Sequence, residues 1–259
     1  MGIIDTHCHL DVSAFDLDRE QVLANARRLG VSAIVVPGIH AAGWPGLLAL
    51  CGRHADLHPA LGLHPVYLEH HREADLAELE QRLERDRPVA VGEIGVDFFV
   101  PELDRERQLR LFESQLALAR DAGLPVLLHI RKAHDQVLAA LHRIRVVGGI
   151  AHAFNGSLQQ AERFIELGFC LGFGGMLTFE RSTRLRRLAR ELPLEALVLE
   201  TDAPDMTVAA HRGERNSPEY LPDCLAALAQ VRYADPVEIA AATSANARRV
   251  LGLPAEASR

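Results

Sequence analysis

Two histidines close to the N-terminus have a spacing that suits a metal site. His7 and His9 follow the apolar pair Ile3-Ile4, which predicts a short buried strand ending in polar groups. If the backbone stays extended, alternate side chains face the same way, so Asp5, His7 and His9 would share one face. Two imidazoles on one face can reach a common divalent cation. We interpret Asp5, which lies deeper in the strand, as a support for the ligands.

Further imidazoles and carboxylates follow other short apolar runs along the chain. Taken singly, each has an ordinary interpretation, such as a hydrogen-bonded histidine near the core or a carboxylate that caps a turn. Their joint occurrence at the ends of different predicted strands instead predicts a metal centre. The candidate ligands are His7, His9, Glu93, His129, His152 and Asp202. This set exceeds what a single tetrahedral catalytic site uses, so we expect two divalent cations.

The elements that must position these residues are short. Eight apolar runs are predicted strands: 3–6, 33–37, 59–63, 89–92, 125–129, 149–152, 169–173 and 197–200. Helical patterns lie between them, with capping boxes predicted at Asp18 and Ser157 and a helix within 104–122. This alternation predicts an α/β fold, a (β/α)8 TIM barrel forming a single domain over 1–259. An open doubly wound sheet is the alternative, but no G-x-G-x-x-G follows the first strand.

In such a barrel the carboxyl ends of the strands form one rim, where reactive groups collect. Two neighbouring cations need a bridging anion, and Lys132, the sole lysine, falls past the fifth strand and does not suit that position. Glu93 is therefore the predicted bridge. The expected nucleophile is a water or hydroxide held between the metals, with Asp202 as the group that accepts its proton.

Composition narrows the class of protein. The chain is 48% hydrophobic and 24% charged, as expected for a soluble globular protein, and carries no secretory or membrane-spanning pattern. The four cysteines form no C-x-x-C pair, which favours reduced thiols and a cytoplasmic protein without a disulfide framework. A net charge of -7 argues against a broadly basic nucleic-acid surface, although bound cations or local arginines can still recognise phosphate. No membrane association and no obligate protein partner are inferred.

Several motifs resemble those of one family. They are residues 5–11 (DTHCHLD), 92–97 (GEIGVD), 200–204 (ETDAP) and 215–218 (RNSP). Together they resemble the TatD-type metal-dependent hydrolases of the amidohydrolase-like barrel superfamily, and residues 152–164 resemble the YjjV branch. The resemblance implies that the six candidate ligands hold magnesium or other divalent cations, with Glu93 shared. It also implies phosphodiester hydrolysis, often as a 3′-to-5′ deoxyribonuclease. Departures at Val96 and Phe98-Phe99 bear on substrate preference alone.

Substrate contacts are predicted for four residues: His64, Arg131, Phe154 and Asn216. Arg131 could clamp a phosphate or pair with a rim carboxylate, and Phe154 could stack a base or belong to the core. A run of arginines within 181–190 is interpreted as a solvated helix face.

The predicted function is cleavage of DNA phosphodiesters with two divalent cations, with single strands or 3′ ends as substrate. One alternative keeps the site and hydrolyses esters or amides, as an aminoacyl-tRNA deacylase does. Another is a metal-dependent binding protein without catalysis. Imidazole ligands favour zinc, manganese or nickel, whereas the resemblance points to magnesium.

Overall fold

The computed structural model describes residues 2–254, so part of the predicted 1–259 domain, namely Met1 and residues 255–259, lies outside them. Eight parallel strands follow one another around a barrel in chain order. The strands are β1 Ile3–Asp5, β2 Val31–Pro37, β3 Leu57–Leu61, β4 Ala90–Asp97, β5 Val126–Arg131, β6 Gly149–Ala151, β7 Phe169–Phe173 and β8 Leu197–Leu199. The prediction of a (β/α)8 barrel is confirmed.

Helices alternate with these strands. They are α1 Arg19–Arg28, α2 Trp44–Cys51, α3 Glu73–Asp86, α4 Arg105–Ala122, α5 His134–Arg143, α6 Leu158–Glu166, α7 Thr183–Glu191, α8 Leu221–Arg232 and α9 Pro236–Leu251. Within residues 2–254, none of these helices combines the length and apolar character needed to cross a bilayer.

The barrel closes where the chain leaving β8 meets the chain leaving β1. The Thr6 amide donates to Leu199 O at 3.0 Å, and the Asp202 amide donates to His7 O at 2.8 Å. One step further, the His9 amide donates to Ala203 O at 2.8 Å. This closure seam therefore carries both N-terminal histidines and Asp202, and its backbone hydrogen bonds set their relative positions.

Two apolar layers hold the barrel together. An inner cluster includes Ile4, Val35, Leu127 and Val198, which point into the barrel. Leu251, from α9, belongs to the same cluster, so this last helix covers the end of the barrel opposite the carboxyl ends of the strands. The outer layer packs the other strand faces against the surrounding helices. The inner apolar filling leaves the carboxyl end of the barrel as the place where polar groups gather.

Strand β4 extends five residues beyond its predicted end at position 92. Glycines at 92 and 95 break the apolar run and suggested a turn, yet both lie inside the strand. Gly95 has a φ of +151°, and a Cβ there would lie 1.9 Å from His129 O, so only glycine permits this close approach of β4 to β5. The extension carries Glu93 and Asp97 within a strand instead of a loop.

The predicted capping box at Asp18 is wrong. Asp18 is the residue before α1, but its side chain accepts no hydrogen bond from the first turn. Its carboxylate is occupied by Arg215, whose guanidinium donates to the two oxygens at 2.8 and 2.7 Å. The box at Ser157 with Gln160 is confirmed, since no competing cation reaches that serine among the described contacts.

The expectation that Asp5 shares a face with His7 and His9 is also wrong. β1 ends at Asp5, and the chain bends at Thr6, so strict alternation stops there. The Asp5 carboxylate accepts hydrogen bonds from Thr201 Oγ1 at 2.6 Å and from the His7 amide at 3.2 Å. Asp5 thus braces the backbone of the closure seam, while the bend turns His7 towards the barrel mouth.

Candidate metal centre

Imidazoles and carboxylates from six strand ends meet in a cavity at the mouth of the barrel. This central cavity has a volume of about 620 Å³. Residues lining it include His9, His64, Glu93, His129, His152 and Asp202. The positions that the sequence predicts as ligands are therefore brought together by the fold.

Glu93 lies in the middle of the cluster and is 1% exposed. Its Oε2 atom faces the closure seam, 3.0 Å from His7 Nε2 and 3.3 Å from His9 Nε2. Asp202 Oδ1 lies 3.7 Å and 3.8 Å from the same two nitrogens. These four atoms form one set of possible metal-ligand atoms.

The Oε1 atom of Glu93 faces the opposite side of the cavity. It lies 3.0 Å from His129 Nδ1, 3.3 Å from His64 Nε2 and 3.3 Å from His152 Nε2. His64, which the sequence suggested as a substrate contact, thus lies among the possible ligands. The two oxygens of one carboxylate thus lie nearest to different imidazoles, which is the arrangement that a shared ligand needs.

Two further carboxylates lie behind the imidazoles, and sequence reasoning assigned neither of them a role. Asp97 Oδ2 lies 3.0 Å from His129 Nε2, while its Oδ1 accepts from the Phe99 amide at 2.8 Å. Glu200 Oε1 lies 3.6 Å from His152 Nδ1 and accepts from the Ala153 amide. A carboxylate behind an imidazole sets its tautomer and raises its basicity as a ligand. Both residues stand in the motifs quoted above, and that signal could have found them.

Asn216 holds the chain that follows β8. It is fully buried, and its Nδ2 donates to Thr201 O at 2.7 Å and to Asp205 O at 2.6 Å. These bonds fix the backbone on both sides of Asp202. A direct contact between Asn216 and a substrate stays a prediction.

The other two predicted substrate contacts differ in exposure. Arg131 lines the central cavity and is exposed, with its guanidinium 3.7 Å from the centroid of the Phe99 ring. Phe154 is 1% exposed and packs edge-to-face against His134 and Phe164. A substrate contact of Arg131 stays a prediction, whereas most of the Phe154 side chain belongs to the core.

The ionisable groups of the cluster shift one another's pKa values. Asp202 and Glu93 outweigh burial and raise the pKa of His152 well above its usual value. Burial by itself would raise the pKa of Glu93, but His64, His7 and His152 outweigh it and hold that pKa well below its usual value. Burial lowers the pKa of His64 to about 4, so this imidazole is neutral near pH 7 and can coordinate. The cluster therefore contains an ionised carboxylate beside a neutral imidazole.

The pKa of Asp202 is shifted in the opposite direction from that of Glu93. Burial raises the pKa of Asp202 to about 6, against the opposing effect of His152 and His9. Its side chain is 14% exposed and faces the cavity.

The donor chemistry suits divalent metal ions. Three overlapping groups of possible ligand atoms lie within 4.8 Å of one another: His7 with Glu93 and His152, His7 with His9 and Asp202, and His64 with Glu93 and His129. Imidazole nitrogens together with carboxylate oxygens are the usual ligands of zinc and manganese. The residues present fit a metal centre.

Comparisons with known proteins agree with this site. The model of the family described as TatD related DNase matches residues 4–252. The chain belongs to the TatD family of metal-dependent hydrolases. The chain is 44% identical over 255 residues to the uncharacterized metal-dependent hydrolase YjjV of Escherichia coli K12, covering 97% of this chain and 98% of that protein.

A solved structure of YjjV and a second relative also resemble the chain over nearly its whole length. The crystal structure of the YjjV TatD homologue from E. coli K12 superposes with a TM-score of 0.93 at 43% identity, covering 97% of this chain and 98% of that one. The chain is also 33% identical to a protein named 3′-5′ ssDNA/RNA exonuclease TatD from Erwinia tasmaniensis, covering 97% of this chain and all of that protein. This TatD-family chain is a metal-dependent hydrolase.

Proposed function

We propose that this TatD-family protein cleaves phosphodiester bonds of DNA, at the 3′ ends of single strands, with two divalent cations. The observation that carries the proposal is the position of Glu93, whose two carboxylate oxygens lie nearest to different imidazoles. The proposed ligands are His7, His9, Glu93, His129, His152 and Asp202. His64 is added to them on the strength of its 3.3 Å distance from Glu93.

When bound, the metal ions supply Lewis-acid chemistry: they lower the pKa of water and neutralise charge on the phosphoryl oxygens. The protein residues do the rest. Asp202 accepts the proton of the attacking water and passes it to the leaving oxygen. Glu93 and the imidazoles hold the reacting groups at fixed distances, and Asp97 restrains the His129 ring through its 3.0 Å contact.

Arg131 is proposed to hold the phosphate that flanks the scissile bond. Its guanidinium lies at the wall of the central cavity, where two of its N–H donors can face a phosphate oxygen pair. A local arginine and bound cations would thereby provide phosphate recognition on a protein whose net charge is -7. The relative named as a single-stranded DNA and RNA exonuclease supports the class of substrate.

Metal dependence is the first test. Purified protein is assayed on a 3′-labelled single-stranded oligonucleotide before and after EDTA, and then with Mg²⁺, Mn²⁺ or Zn²⁺ restored. We expect activity to vanish with chelator and to return with one of these ions. Elemental analysis of protein purified without added metal identifies the resident ion, and the imidazole-rich donor set favours manganese or zinc.

The substrate class is tested in parallel. Hydrolysis of the oligonucleotide, its duplex form, bis-p-nitrophenyl phosphate, and a panel of carboxyl and aminoacyl esters is measured under identical conditions. Preference for the single-stranded oligonucleotide by at least tenfold supports the proposal. Turnover confined to the carboxyl or aminoacyl esters would assign the same site to ester hydrolysis instead.

A matched pair of variants separates chemistry from surface charge. Asp202→Asn is expected to abolish turnover, because it removes both a ligand and the proton acceptor. Asp121→Asn changes an exposed carboxylate near the end of α4, outside the central cavity, and is expected to retain activity. Full activity in Asp202→Asn would contradict the mechanism.

A further inference from the structure

A second cavity lies beside the metal centre, between the chain segments that follow β6, β7 and β8 and the first turns of α7. This side cavity has a volume of about 410 Å³. It shares Ala153, Asn155, Asp202 and Met206 with the central cavity. A ligand held over Asp202 can therefore extend from one cavity into the other.

The walls of the side cavity are shaped for a flat apolar group. One wall is formed by Leu185 and Leu188 of α7 together with Met176. Another part of the wall is the stretch 172–175, whose glycines at 172, 174 and 175 leave no room for a Cβ. A Cβ on Gly175 would lie 2.2 Å from a backbone oxygen. Bare backbone together with aliphatic side chains accommodates a planar ring.

The polar groups of the side cavity lie at its two ends. Arg181 and Arg184 are exposed beside it, and the Arg184 guanidinium donates to Asn155 O. At the inner end Glu200 is 1% exposed, and its Oε2 has no hydrogen-bond partner among the described residues. A buried acceptor without a partner is costly unless a ligand or a water supplies a donor. Exposed arginines at the outer end and aliphatic side chains within suit an anionic ligand that carries an apolar ring.

We infer that the side cavity receives the base of the nucleotide adjoining the scissile phosphodiester, an inference that builds on the proposed nuclease function. The base lies against the aliphatic side chains of α7 and the 172–175 backbone, and the phosphate on its far side meets Arg181 and Arg184. The central cavity then holds the scissile phosphodiester and, at Arg131, the flanking phosphate on its other side. The side cavity thus makes the enzyme selective for nucleotides over small phosphodiesters.

Abasic substrates test the inference. Short single-stranded oligonucleotides carry one tetrahydrofuran abasic residue on either side of the scissile bond, and kcat/KM is compared with that of the intact strand. We expect a loss of about tenfold or more at one of the two positions, the size of a lost base contact. Methyl p-nitrophenyl phosphate, which has no base, reports on the metal centre alone.

Filling the cavity should reproduce the abasic result. In Leu185→Trp the new indole occupies the space of the base, so cleavage of the intact strand is expected to fall to the abasic level. Turnover of methyl p-nitrophenyl phosphate should stay within about twofold. Thr183→Trp, at the exposed start of α7, is a second filling variant that disturbs the core less. Arg187→Trp places the same side chain on the outer face of that helix and is the matched control.

The outcomes separate the two proposals. Equal rates on intact and abasic strands would overturn the base-binding role, as would filling variants that leave oligonucleotide cleavage unchanged. A filling variant that is folded by circular dichroism but loses methyl p-nitrophenyl phosphate turnover equally would also overturn it. If the metal-loaded wild type cleaves neither this small phosphodiester nor the oligonucleotide, the proposed nuclease function itself fails.

Discussion

The two ends of the barrel interior are built from the same strands and have opposite chemistry. At the end covered by α9, the interior is apolar and includes Ile4, Val198 and Leu251. At the mouth, buried Glu93 and His7 stand among other titratable groups, with ligand atoms within 4.8 Å of one another. Close packing without polar groups stabilises the fold, whereas crowded imidazoles and carboxylates cost desolvation energy that a bound cation offsets. Stability and chemistry are therefore separated along the barrel axis.

The largest effect on activity is expected when the charge of Glu93, at the centre of the barrel mouth, is removed. Glu93→Gln keeps the volume of the side chain and removes the shared anionic ligand, so activity should fall by about a thousandfold or more. Metal content by elemental analysis should drop, while the melting temperature of the metal-free protein changes little. Glu106→Gln, on the exposed face of α4, is the control. Normal metal content in Glu93→Gln would contradict the bridging role.

A substitution at the end of the barrel covered by α9 should lower stability and leave activity nearly unchanged. Leu251 is 4% exposed within the inner apolar cluster, so Leu251→Ala should lower the free energy of unfolding by about 2–5 kcal/mol. Chemical denaturation measures this loss, and kcat per folded molecule should stay within about twofold. Leu17→Ala, at a fully exposed leucine, should change stability by less than about 0.5 kcal/mol. A Leu251→Ala protein that keeps its stability but loses kcat would contradict the separation of stability and chemistry along the barrel axis.

A smaller effect is expected at Asp97, which contacts the proposed ligand His129 but is not itself a proposed ligand. Asp97→Asn weakens the hold on the His129 ring without removing a ligand, so metal affinity should fall by about 10–100-fold. Competition with a chromogenic chelator measures this affinity, with the exposed Asp121→Asn as the control variant. Excess metal should restore much of the activity. If affinity were unchanged, the 3.0 Å contact between Asp97 and His129 would have no part in metal binding.

The smallest effect is expected at the surface contact that joins α1 to the chain after β8. Arg215 pairs with Asp18 through two hydrogen bonds and lies over the Phe15 ring, yet both charged side chains remain partly exposed. Arg215→Ala should cost no more than about 1 kcal/mol of stability. Thermal melts at low and high salt measure it, and raising the salt should narrow the difference from wild type. A loss independent of salt would assign the contact to packing instead of charge.

Particular residues show how far sequence reasoning reached. The ends of the apolar runs located His7, His129 and His152 because a parallel barrel brings every such end to one rim. Asp97 and Glu200 were missed as carboxylates behind the imidazoles, since nothing in their spacing says which imidazole they will meet. His64 was interpreted as a substrate contact instead of a ligand. Its distance from Glu93 depends on how β3 and β4 pair, and the sequence does not show that pairing.

What the sequence by itself determined is the alternation of strands and helices and the residue types that stand at the strand ends. Both follow from local periodicity, because burial on one face of a helix or strand leaves a regular pattern. The tertiary structure alone decided the geometry: the bend after Asp5, the length of β4, the capture of Asp18 by Arg215, and the side cavity beside Asp202. Each of these depends on contacts between segments far apart in the chain, which local patterns do not encode.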